Sequence, residues 1–237
     1  MKKILHLIAL LLMTVITLAL TASCNKDGEK DKEETFDINK LSEYILFARR
    51  DDGNPKNSIR LYDFKAGNEA MMFTGGGNFN AQQVYTIVDN NTIMISNTSK
   101  IVFDQQGNVT SMIYNNPDNP DAAQTYKQFK LIKKHTIDQL AGKSFRFRYY
   151  NPDGSLVPPE HTYTFAANGS KPEGQTINGA LRNSDYTLIG NVAYVGSANK
   201  GGTTDYEVLV LVNGKLEASY RDNTESVYLY GSFEELK

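Results

Sequence analysis

The feature that most restricts the fold is an internal repeat. Ile38-Asn39-Lys40-Leu41 is matched by Ile137-Asp138-Gln139-Leu140, and Leu61-Tyr62-Asp63-Phe64 by Thr162-Tyr163-Thr164-Phe165. The clearest pair is Tyr85-Thr86-Ile87-Val88-Asp89-Asn90 with Tyr186-Thr187-Leu188-Ile189-Gly190-Asn191, 101 positions apart. Phe103 to Val109, ending Gly107-Asn108-Val109, parallels Leu211-Val212-Asn213-Gly214-Lys215-Leu216. Tyr126-Lys127-Gln128-Phe129 parallels Tyr230-Gly231-Ser232-Phe233. The matches keep their order and nearly their offset, as a duplicated unit does. One copy spans residues 36–134 and the other 135–237.

Within each copy the apolar pattern has period two. Phe145, Phe147 and Tyr149 are expected on one strand face, with Arg146, Arg148 and Tyr150 on the other. Tyr206 to Val212 runs into Asn213-Gly214, a strong hairpin signal because both turn positions need positive φ. On the returning strand Leu216, Ala218 and Tyr220 should point inward, while Lys215, Glu217, Ser219 and Arg221 face water. Further turn signals stand at Asp52-Gly53-Asn54-Pro55, Gln106-Gly107-Asn108 and Asn151-Pro152-Asp153-Gly154. Strands recurring at roughly ten to fourteen residues predict antiparallel meanders instead of parallel βαβ units. Helix is confined to single turns opening each copy, at Asp37 to Ser42 and Thr136 to Ala141. Thr136 caps the second, with Gln139 in the capping-box position.

The passage Leu140-Ala141-Gly142-Lys143-Ser144-Phe145, a helical turn leading into a first strand, resembles the opening of lipocalin-like barrels. Ser144 stands where those barrels carry tryptophan, and Glu43 stands where copy one would carry the glycine. The resemblance implies a fold and no ligand. The expected class is all-β, two tandem repeats of antiparallel meander sheets forming lipocalin-like barrels or sandwiches packed together. Either each copy closes as its own small barrel, or two half-sheets combine into one larger barrel or sandwich, since open edges invite aggregation. The link from Phe129 to Phe145 lacks a Pro/Gly-rich hinge, so the copies are not expected to tumble independently.

Residues 1–23 read as an export signal. Lys2 and Lys3 precede an apolar run from Ile4 to Leu20, and Thr21-Ala22-Ser23 are small residues before Cys24. This resembles the lipobox of Bacteroidetes-type bacterial lipoproteins, with Thr21 where leucine is usual. The resemblance implies cleavage before Cys24, diacylation of its thiol, and anchoring by two or more acyl chains. Residues 24–35, with the charged stretch Asn25 to Glu34, are expected to form a solvated tether. Asn25 is not the aspartate that favours inner-membrane retention in some lipoproteins, so the outer membrane is the expected location, with cell-surface exposure left open.

Composition then excludes several functions. Cleavage would leave 214 residues with 23 basic and 27 acidic side chains, a formal charge of −4. That balance offers no electrostatic footprint for nucleic acid. Cys24 is the only cysteine, so none remains for a disulfide, a metal thiolate or a nucleophile. His135 and His161 are the histidines left, and they make no zinc spacing. No metal site and no cofactor are expected.

The remaining motifs are weak. Ser197-Ala198-Asn199-Lys200 has Ser-x-x-Lys spacing, but that chemistry needs a helix, and a glycine-flanked loop is expected here. Gly75-Gly76-Gly77 lacks the Lys-Ser/Thr of a phosphate loop. Asp51 to Asn54 and Asn116 to Asp121 read as turns, without calcium-loop spacing. His161, beside Glu160, is expected in a surface loop after Pro158-Pro159. Tyr149 and Tyr150, on a strand with aromatics on both faces, are the candidate ligand-binding residues, able to stack on a sugar or an apolar ligand. The reading is therefore a non-catalytic, lipid-anchored envelope binding protein for a small ligand or glycan. The alternatives are a protein–protein interaction or structural subunit of an outer-membrane complex, and a carboxylate-based hydrolase.

Overall fold

The computed structural model describes residues 36–51, 56–74, 80–116, 119–168, 172–173, 176–177, 180–181, 185–200, 203–223 and 226–237. Residues 1–23, read as an export signal, Cys24, the stretch to residue 35 expected to form a tether, residues 52–55 expected to turn, and the glycine run 75–77 lie outside them. A 3-10 helix, Ile38–Glu43, opens the described chain, with Asp37 accepting the Asn39 N–H at its N-cap. Eight strands follow: β1 (Tyr44–Arg50), β2 (Ile59–Lys65), β3 (Glu69–Thr74), β4 (Asn80–Asp89), β5 (Thr92–Ile95), β6 (Ser99–Phe103), β7 (Val109–Asn116) and β8 (Asn119–Lys133). Each pairs antiparallel with the next, and β8 returns to β1, closing a barrel.

The second repeat supplies β9 (Ser144–Tyr150), β10 (Leu156–Phe165), β11 (Pro172–Glu173), β12 (Thr176–Ile177) and β13 (Ala180–Leu181). It continues with β14 (Asp185–Ile189), β15 (Ala193–Lys200), β16 (Thr203–Val212), β17 (Lys215–Asp222) and β18 (Val227–Glu235). Eight of these form one antiparallel sheet in the order β11-β10-β9-β18-β17-β16-β15-β14, and β12 pairs with β13 separately. The pairing of β9 with β18 repeats that of β1 with β8. The chain is therefore all-β: a closed meander barrel and a second antiparallel meander sheet.

The repeated sequences fall on equivalent strands. Tyr85 pairs with Ile95 across β4 and β5, as Tyr186 pairs with Gly196 across β14 and β15. The β16–β17 hairpin turns at Asn213 and Gly214, with φ of 50° and 81°, as the sequence requires.

Three apolar clusters explain the sequence of the strands. Inside the barrel lie Leu46, Ala48, Tyr62, Phe64, Ile93, Ile95, Ile101 and Phe103. Inside the second sheet lie Phe145, Tyr149, Tyr163, Phe165, Tyr194, Leu209, Leu216 and Phe233. Between them, Ile45, Phe47, Ile59 and Leu61 of the barrel wall meet Val195, Val208, Val210 and Val212. Strands β1, β2 and β16 are thus buried on both faces, which is why they read as apolar runs instead of alternating ones. The Arg49 guanidinium crosses the same boundary to Glu217 on β17 and to the Gly231 carbonyl at 2.9 Å.

Four local expectations are corrected. The segment from Thr136 to Ala141 consists of bends and a turn, and Asp138 instead of Thr136 accepts a backbone N–H, that of Leu140 at 2.9 Å. Phe147 is exposed although Phe145 and Tyr149, two residues to either side on β9, are buried. Ser219, expected to face water, is fully buried, since the outer face of β17 is turned to the barrel through Glu217 and Arg49. Ser197 to Lys200 belongs to β15 instead of a loop, and residues three apart on a strand fall on opposite faces.

Candidate functional site

The two ends of the β1–β8 barrel differ. At the end where β1 begins, the 3-10 helix inserts Ile38 and Leu41 into the core, and Phe36 packs on Phe103 with ring centroids 5.1 Å apart. At the other end a cavity of about 410 Å³ is open between the strands. Its lining comes from the end of β1 (Arg50), the start of β2 (Arg60, Tyr62), the end of β3 (Met72, Thr74) and the start of β4 (Ala81, Gln83). Ser96 and Ser99 at the β5–β6 turn, Tyr114 on β7, and Gln124 and Tyr126 on β8 complete the ring. An antiparallel meander brings these segments together because alternate strand ends meet at one mouth.

Arg60 is the central group. Its guanidinium lies over the Tyr114 ring at 5.1 Å and the Tyr126 ring at 5.0 Å, so two aromatic faces hold the cation. Its Nη2 donates to Gln124 Oε1 at 3.4 Å, an oxygen that also accepts the Tyr126 hydroxyl at 2.7 Å. Its Nη1 is out of solvent contact and makes no hydrogen bond among the described residues. An unmet donor of this kind costs on the order of 1–3 kcal/mol, and more when charged. Two arginines and no carboxylate appear among the described lining residues. Two positions along β2 from Arg60, the Tyr62 hydroxyl lies 3.5 Å from Ser99 Oγ. Deeper in the barrel, burial pushes the Tyr85 phenol above its usual range.

The equivalent place in the second repeat is filled. Register identifies the counterparts: Ser99 pairs with Ile95 and Tyr114, as Glu207 pairs with Gly196 and Tyr220. Arg60 and Tyr62 correspond in the same way to His161 and Tyr163. Glu207 is buried, and its carboxylate accepts hydroxyls from Tyr149 at 3.0 Å, Tyr163 at 2.5 Å and Tyr186. Gly196 makes room for this arrangement, since a Cβ there would lie 2.6 Å from the Tyr186 ring. His161 is buried in β10, against expectation, and meets the Tyr149 ring edge-on at 5.1 Å. It is not in a loop because β10 runs from Leu156 through it to Phe165, and the Tyr149 ring packs against it.

The sequence candidates Tyr149 and Tyr150 are therefore separated in role. Tyr149 is fully buried in the core of the second sheet, with its hydroxyl on Glu207. Tyr150 is half-buried and stacked on Tyr230, centroids 5.5 Å apart. Neither lines the barrel mouth. The residues that do, Arg60, Tyr62, Ser99, Tyr114 and Tyr126, carry no motif spacing. Setting the two repeats side by side is the signal that finds them, because arginine stands opposite histidine and serine opposite glutamate. The chain matches no family model and no curated protein sequence.

Proposed function

We propose that this is a non-catalytic, lipid-anchored cell-envelope binding protein that takes a small ligand into the mouth of its β1–β8 barrel. The observation that supports the reading is the open cavity of about 410 Å³ with Arg60 held between two tyrosine rings. A volume of that order suits a small ligand, and convergent polar groups on an otherwise rigid wall orient one. The anchor rests on the sequence: a basic start, an apolar run from Ile4 to Leu20, and the lone Cys24 after small residues. Anchoring through Cys24 to the outer membrane places the barrel beside envelope glycans and solutes.

Two measurements test this reading. A thermal-shift panel of saccharides, organic acids and peptides should contain a ligand that raises the melting temperature by roughly 5 to 10 °C at a hundredfold excess over Kd. A complete panel without a shift counts against it. Metabolic labelling with a radioactive fatty acid should mark the chain and lose the mark in Cys24→Ala. Equal labelling of that variant would remove the anchor.

A further inference from the structure

The comparison between the two repeats narrows the ligand, on the premise that the barrel mouth is a binding site. In the second repeat a carboxylate belonging to the chain, that of Glu207, occupies the interior and receives the Tyr163 hydroxyl. In the first repeat the equivalent residue is Ser99, Tyr62 stands where Tyr163 stands, and a cavity is left in front of them. The first repeat also adds Arg60, a cation held by the Tyr114 and Tyr126 rings at the cavity wall, with no carboxylate among the described lining residues. The same scaffold thus carries its own acid in one copy and a place for a foreign acid in the other.

We infer that the barrel mouth binds a hydroxylated carboxylate, an acidic sugar of the uronate type, with its carboxylate between Arg60 and the Tyr62–Ser99 pair. The carboxylate follows from the Arg60 guanidinium, in a wall with two arginines and no acid among its described residues, since a guanidinium pairs with such a group through charge-assisted hydrogen bonds. The hydroxylated body follows from the rest of the wall. Thr74, Gln83, Ser96 and Gln124 offer hydroxyl and amide groups along it, and the tyrosine rings offer flat surfaces.

The test is titration calorimetry on the full chain in detergent, with glucuronate and galacturonate against glucose, galactose and decanoate. A uronate should bind at least about tenfold more tightly than its neutral sugar, the discrimination expected of one charge-assisted pair. Arg60→Gln should remove that preference. Ser99→Glu, which places a carboxylate where the second repeat has Glu207, should abolish uronate binding. Equal binding of acidic and neutral sugars, an unchanged preference in Arg60→Gln, or silence from all five probes would overturn the acidic-sugar assignment. Binding of a neutral sugar or of decanoate more tightly than either uronate, blocked by Ser99→Glu, would also overturn it, yet would leave the barrel mouth standing as a binding site. The broader thermal-shift panel decides that second question independently.

Discussion

At the residue scale, the chain uses buried polar groups as fixed points. Glu207 is held by three tyrosine hydroxyls from β9, β10 and β14, so its charge is met by donors from strands distant in sequence. Hydrogen bonds to a charged acceptor contribute more than neutral ones, about 1.5–3 kcal/mol each. Glu207→Gln should therefore lower the unfolding free energy by about 2 kcal/mol or more, measured by urea denaturation. Tyr228 gives a pH-dependent counterpart. Burial pushes its phenol from 10.0 up to about 12, so the folded chain favours the neutral form more than the unfolded chain does. That contribution is complete below pH 10, and it is lost as pH rises from 10 towards 12. The urea midpoint should fall across that interval, and it should fall less steeply in Tyr228→Phe.

Elements here are specified by what covers them. Strand β1 is apolar on both faces because one side lines the barrel and the other meets the second sheet. Strand β8 holds Tyr126 and Phe129 against the same core only because an extra residue is inserted near Gln128, whose φ is 53°. Strand β15 depends on Gly196, where the Tyr186 ring rests. Gly196→Ala should displace that ring and break its hydroxyl contact with Glu207, for a cost of about 1–3 kcal/mol. Differential scanning calorimetry would show it as a lowered melting temperature. Adding Tyr186→Phe to that variant should cost less than the sum of the two single changes, since both act on one contact.

For the whole molecule, the two repeats form one apolar interior across their shared wall, tied by the Arg49–Glu217 pair. Arg49 is almost wholly buried, and it also donates to the Asn57 carbonyl at 2.8 Å. Removing one partner of a buried ion pair typically costs about 3–5 kcal/mol. Arg49→Met should destabilise by that order in urea denaturation. The unaltered protein should unfold in a single calorimetric transition, because neither repeat can leave without exposing the common cluster. Two separated transitions in the unaltered protein would show that the shared wall does not couple the repeats.

The sequence by itself determined the all-β class, the order and equivalence of the strands, and the Asn213-Gly214 turn, all consequences of local geometry and period. Of the two tyrosines it offered as ligand contacts, Tyr149 lies in the core and Tyr150 stacks on Tyr230. Burial of Tyr149, Ser219 and His161 depends on register shifts and on which outer face meets the other repeat, and both are settled by contacts far apart in the chain. The barrel mouth belongs to the same category. Arg60, Ser99, Tyr114 and Tyr126 become one site only when β8 pairs with β1 and the sheet closes on itself. Closure also leaves the first repeat open at the place where the second is filled by Glu207, and the meaning of Ser99 and Arg60 against Glu207 and His161 appears only in three dimensions.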